Sequence, residues 1–192
     1  MITKLFAALI VAGLTSVSAH AIVIDFESTG TPGSYNALDY TIDGFVFNQT
    51  MDNIDISSTS PWAGNGPAYS GSFAGLNNYG GAGEVTAFGG GTFSFQSLWL
   101  KSWYGNVNPM TVSGWLNGVQ VGTVNGQSGT SWVEYVGNFA NIDKLVINGG
   151  NYFLVDNISL NTQVSAVPEP ETYAMLLAGL GLVGFKLRRQ NK

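Results

Sequence analysis

Cysteine is absent from the 192-residue chain, and histidine occurs once, at His20. The first absence excludes a disulfide framework. The second matters because of how the chain starts. Lys4 gives a positive n-region, Leu5 to Val17 an apolar stretch, and Ala19-His20-Ala21 a small-x-small cleavage site. Residues 1–21 are therefore expected to be a signal peptide, with the mature chain starting at Ile22. A domain left with neither His nor Cys cannot run Ser-His-Asp or Cys-His catalysis. Nor can it build an ordinary zinc site.

Positive charge is equally scarce. Between residues 22 and 165, seven Asp and three Glu face only Lys101 and Lys144. Phosphate binding needs clustered cations, so nucleic acid is excluded as a partner. The acidity suits Ca²⁺ ligation, and it equally suits plain solubility. Carboxylates are the only acid–base groups that remain. An enzyme built on this domain would need a glycosidase-like carboxylate pair.

A sustained 3.6-residue apolar period is also missing from this region. What is present is short alternating runs punctuated by many of the 26 glycines. Ile22 to Glu27 reads as an opening strand, and Phe45-Val46-Phe47 as another. Thr92 to Phe95 alternates cleanly, then Gln96-Ser97 shifts the phase before Leu98-Trp99-Leu100, which predicts a β-bulge. Thr111 to Leu116, Asn117-Gly118 and Val119 to Thr123 predict a type I′ hairpin. Trp132 to Val136 gives a further strand. Lys144 to Ile147 and Tyr152 to Leu160 predict a closing hairpin. Ser57 to Gly91 reads as loops with one or two short strands. The expectation is an all-β, antiparallel sandwich over residues 22–165.

The chain ends differently. Pro168 and Pro170 enforce an extended stretch, followed by Tyr173 to Phe185 without a charge. That run spans about 20 Å as a helix, against roughly 30 Å of bilayer hydrocarbon. It becomes adequate as a transmembrane helix over about 173–187 if Lys186 snorkels. Lys186, Arg188, Arg189 and Lys192 would then stay cytoplasmic. The arrangement resembles the PEP-CTERM sorting signal, whose triplet stands here as Pro168-Glu169-Pro170 within residues 166–192. That resemblance implies an exosortase-type processing enzyme as partner. It also implies export: an inner-membrane-anchored precursor, then the surface or matrix of a Gram-negative-type bacterium.

The region before the tail resembles the jelly-roll sandwiches of carbohydrate-binding modules. The likeness rests on Asp25-Phe26-Glu27, on Phe93-Ser94-Phe95 with Leu98-Trp99-Leu100, and on Leu154 to Leu160. It implies a structural Ca²⁺ near the first and last strands, with Glu27 and Asp156 as ligands. Asp25 lies two residues from Glu27 on the expected strand, so their carboxylates would share a face. The alternative is that Asp25 and Glu27 face solvent.

Aromatics are the remaining signal. Trp62, Tyr69, Trp103 and Tyr104 sit in Gly- and Asn-rich surroundings, where flat rings beside amides suit sugar rings. Asn106 and Asn108 lie close to Trp103 and Tyr104 in sequence. Core packing is the competing reading for Trp103 and Tyr104, and it is the expectation for Trp99, Trp115 and Trp132. Three functions follow: a non-catalytic surface or matrix protein associated with exopolysaccharide, a dedicated carbohydrate-binding module, and a carboxylate glycosidase.

Overall fold

The computed structural model describes residues 20–38, 41–162 and 179–180, and Ala19–Gln163 forms a compact unit of its own. Most of the signal segment lies outside the described residues. So do Pro168-Glu169-Pro170 and nearly all of the expected helix at 173–187. Among the described residues no helix is long and apolar enough to cross a membrane.

The strands in chain order are β1 (His20–Ile24), β2 (Tyr35–Ala37), β3 (Thr41–Ile42), β4 (Phe45–Phe47), β5 (Met51–Asp55), β6 (Phe73–Asn77), β7 (Gly83–Ala87), β8 (Phe93–Ser102), β9 (Asn108–Leu116), β10 (Val119–Ser128), β11 (Val133–Ile142), β12 (Lys144–Asn148) and β13 (Phe153–Thr162). They form two antiparallel sheets. One runs β11-β8-β13-β6-β5-β2, with β1 also paired to β13; the other runs β10-β9-β12-β7-β4-β3. The β13 strand meets β6 through Leu154 and Val155, and meets β1 through residues 158–162. First and last strands therefore lie side by side. This is the predicted antiparallel β-sandwich.

The core lies between the sheets, and the phase of β8 and β13 shows how it is filled. Phe93 and Phe95 point inward, Gln96 and Ser97 do not, and Leu98 and Leu100 point inward again. On β13, Phe153 and Val155 are followed inside by Ile158 and Leu160. Asn157, at φ 45°, takes up the extra residue. The two strands shift register against each other at these places, which is the signature of a bulge in each. The bulge foreseen at Gln96-Ser97 thus keeps both halves of β8 facing one core. At the other predicted turn, Asn117 and Gly118 have φ of 51° and 77°, and Leu116 pairs with Val119. That is the conformation a two-residue I′ hairpin requires.

Two local expectations differ from the structure. Lys144–Asn148 and Phe153–Thr162 are not hairpin partners: β12 pairs with β7 and β9 in one sheet, and β13 with β8, β6 and β1 in the other. The turn between them crosses the sandwich. Its Gly149 packs where a Cβ would press on Met110 and Phe153. Likewise, Asp25-Phe26-Glu27 does not continue the first strand. Phe26 takes φ 65° while fully buried, because its ring packs in the core beside Phe47.

The sheet containing β8 and β13 buries its second face too. Ile54, Ala74, Leu76 and Leu154 form an apolar layer there with Ile56 and Ala68, and Trp62, Trp103 and Trp132 pack against it. Of these, Trp62 and Ala68 come from segment 57–72, which holds a single 3-10 turn at Ala63–Asn65. The core between the sheets should dominate stability. Phe95→Ala is expected to cost about 3–5 kcal/mol in urea unfolding. Val121→Ala, on exposed β10, should stay within about 0.5 kcal/mol; equal costs would contradict this assignment of the core.

Candidate functional site

Segment 57–72 is pinned at both ends by carboxylates. At its start, Asp55 accepts hydrogen bonds from the Gly33 N–H (2.6 Å) and the Ser57 N–H (2.8 Å). Burial works to raise the Asp55 pKa, but these bonds hold it below the usual value. At its end, Glu27 Oε1 accepts from the Ser72 and Phe73 N–H groups at 2.8 and 2.7 Å. Asp156 accepts from the Ser70 N–H (3.0 Å) and the Asn157 N–H (2.7 Å). The Ser70 hydroxyl donates to Asn157 Oδ1 at 2.7 Å. At Gly71, φ is 60°, and any Cβ would collide with the Glu27 carboxylate. Backbone and carboxylate come that close only because the residue is glycine.

Asp156 is fully buried. Burial, with a smaller contribution from the negative charge of Glu27, pushes its pKa up to about 7 against the pull of its backbone hydrogen bonds. Glu27 and Asp156, read from the sequence as neighbours, are thus brought together. Asp25 is not part of the pair: its Oδ1 accepts the Glu27 N–H at 3.1 Å, a turn contact that follows from the positive φ of Phe26. Among the described residues no group of three or more acidic, His or Cys side chains converges.

The four aromatic candidates divide. Trp103 and Tyr104 line a cleft of about 510 Å³ with Gly64, Asn65, Gly66, Lys101, Ser102, Gly105 and Thr130. Tyr104 is 63% exposed, and its ring meets Tyr152 edge-on at 5.8 Å. The turn that carries both rings is tied down, since the Ser102 and Trp103 N–H groups donate to Gly129 and Tyr152 carbonyls. Asn108 donates to the Ser102 hydroxyl at 3.4 Å, whereas Asn106 is exposed.

Trp62 and Tyr69 stand elsewhere. Trp62 packs on the apolar layer, edge-on to Tyr35 at 5.5 Å. Tyr69 stacks on Trp99 at 3.8 Å and 14°. Trp99 and Trp132, read from the sequence as core, lie half-buried on the outer face of their sheet. Tyr69 approaches both. Trp115 is half-buried, with the Lys144 ammonium 5.9 Å from its ring centroid.

Sequence reasoning passed over Lys101. It sits on β8 next to Leu100 and is buried, yet its Nζ reaches the cleft and donates to the Asn65 carbonyl. The indole N–H of Trp132 donates to the Pro67 carbonyl at 3.0 Å, so both residues hold the loop that walls the cleft. The only signal was rarity, since Lys101 is one of two lysines between residues 22 and 165. The cleft lining contains no Asp or Glu. A carboxylate pair able to flank a glycosidic bond is therefore not found there.

Residues 166–190 match the family model of the PEP-CTERM protein-sorting motif. The tail is a sorting signal. It marks an exported, surface-directed protein and implies processing by an exosortase. No curated protein matches the chain. Among solved structures, the chain is similar to the C-terminal family 22 carbohydrate binding module of Clostridium thermocellum Xyn10B, with 15% identity, 76% of this chain and 94% of that one covered, and a TM-score of 0.44. It is also similar to the K2 cleaved adhesin domain of Lys-gingipain, with 12% identity, coverage of 74% and 98%, and a TM-score of 0.44. A third is TmCBM61, solved with β-1,4-galactotriose, with 10% identity, coverage of 71% and 92%, and a TM-score of 0.39.

Asp156 generates a pH prediction. Its folded pKa, about 7, lies above its ordinary 3.8. The stability it contributes is full below 3.8 and is lost as pH rises towards about 7. In EDTA, the stability of the wild type relative to Asp156→Asn should fall between these two limits and then level off. A flat difference across that range would show that Asp156 titrates normally.

Proposed function

We propose that the chain is an exported surface protein whose sandwich binds glycan non-catalytically in the cleft of Trp103 and Tyr104. One observation carries this reading: two aromatic side chains, one largely exposed, stand over a cleft whose remaining lining is amide, hydroxyl, backbone and one ammonium. Flat rings take the C–H faces of a sugar while polar groups take its hydroxyl edges, and that pairing is what a saccharide site requires. Association with extracellular polysaccharide is part of the same proposal, supported by a sorting tail that marks a surface-directed protein. The lack of a carboxylate in the cleft lining supports a binding role over hydrolysis. Glycan-array binding of the purified chain should be saturable. Trp103→Ala should weaken it at least about tenfold, a loss of about 1.4 kcal/mol. Absence of binding to any glycan would instead support a structural matrix protein.

A structural Ca²⁺ at Glu27 and Asp156 belongs to the same proposal. The donor set fits a hard cation: two like-charged carboxylates lie close enough to interact, one of them fully buried. Glu27 Oε2 accepts no hydrogen bond from another described residue. Ca²⁺ takes six to eight oxygens, so backbone carbonyls and water would complete the shell. Bound there, the ion would neutralise the pair and keep Asp156 ionised. At pH 8, added Ca²⁺ should raise the melting temperature by several degrees, EDTA should reverse the gain, and Asp156→Asn should abolish it. An unchanged melting temperature would remove the ion from the fold.

A further inference from the structure

The floor of the cleft holds a cation with no anion to match it. Lys101 has 7% of its surface exposed, and among the described residues the one salt bridge belongs to Lys144 and Glu84. The Lys101 ammonium donates to the Asn65 carbonyl and stands 5.9 Å from the Trp132 ring centroid. An ammonium carries three N–H donors, and the Asn65 carbonyl satisfies one of them. Burial lowers the Lys101 pKa, and no carboxylate acts to raise it. In a domain with ten carboxylates, the omission of one beside a buried lysine is notable. A buried charge without a partner is costly. A ligand carboxylate would remove that cost through a charge-assisted hydrogen bond of the stronger kind.

Resting on the glycan reading of the cleft, we infer that the sugar it takes is acidic: a uronate residue, its ring over Trp103 or Tyr104 and its carboxylate on the Lys101 ammonium. The cleft walls fit this division of labour. Trp103 and Tyr104 supply the apolar faces, while Thr130 supplies an exposed hydroxyl at the rim. Lys101 supplies the charge. The domain repels a polyanion at long range through its net negative charge. Recognition is therefore local, of one carboxylate held within the cleft, and does not come from electrostatic attraction along a chain.

Matched pairs of oligosaccharides test this. The full-length chain, in a non-glycosidic detergent, is titrated with uronate-containing oligosaccharides and with each one's carboxyl-reduced twin. At least one uronate member should bind about tenfold or more tightly than its twin. Lys101→Met should erase that preference, read as the ratio of the two twins' affinities within the variant, so that any loosening of the wall through the lost Asn65 contact affects both twins and cancels. Lys101→Arg should retain part of the preference. A purely structural Lys101 would lower the melting temperature and weaken both twins alike, which would overturn the inference. Equal binding of every pair by the wild type would overturn it while leaving the glycan reading intact. Failure of all sugars to bind would overturn both.

Discussion

The position of segment 57–72 depends on carboxylate oxygens accepting backbone N–H groups. The segment has one 3-10 turn and no strand, so most of its amides have no ladder partner. Buried amides must be satisfied by something. Asp55 does this at the start; Glu27 and Asp156 do it at the end. Lys101 and Trp132 take the carbonyls of Asn65 and Pro67 in between. With the segment held in this way, the sheet of β8 and β13 buries both faces, and one wall of the cleft exists. The acidity of the chain is thus partly structural, and more than a coat for solubility.

Three features of the glycan reading trace to that one constraint. The cleft is bounded by residues 64–66 of the pinned segment on one side and by Trp103-Tyr104-Gly105 on the other. Lys101 is buried because the segment lies over it. Asp156 has a raised pKa because the same cover takes it out of water. The proposed cation and the proposed ligand therefore meet groups held by the same loop that covers Asp156.

Much of the fold was legible in the sequence because its signals are local. Asn117-Gly118 needs only its own backbone to form the hairpin, and Gln96-Ser97 breaks the alternation directly between Phe93-Ser94-Phe95 and Leu98-Trp99-Leu100. The β12–β13 connection was not legible. A Gly-rich turn between two apolar runs looks the same whether it closes a hairpin or crosses a sandwich, and which occurs depends on β7, β9 and β8 far away in the chain. Phe26 was misread for a related reason: a buried aromatic at φ 65° is held there by its packing, which no propensity records. Trp103 and Tyr104, singled out for their polar neighbours, do line a cleft. The placement of Trp99 and Trp132 was not legible, since a sheet with two buried faces makes outward tryptophans look like core. Lys101 was hidden by its setting in an apolar strand.

The most direct test of this account is amide hydrogen exchange at Ser72 and Phe73, in the wild type and in Glu27→Ala. The account predicts that both amides in the wild type are protected nearly as well as those of β8. It predicts that Glu27→Ala releases them selectively while β8 stays protected. Rapid exchange at Ser72 and Phe73 in the wild type, or exchange indifferent to Glu27, would contradict the claim that buried carboxylates hold the loop over the sheet.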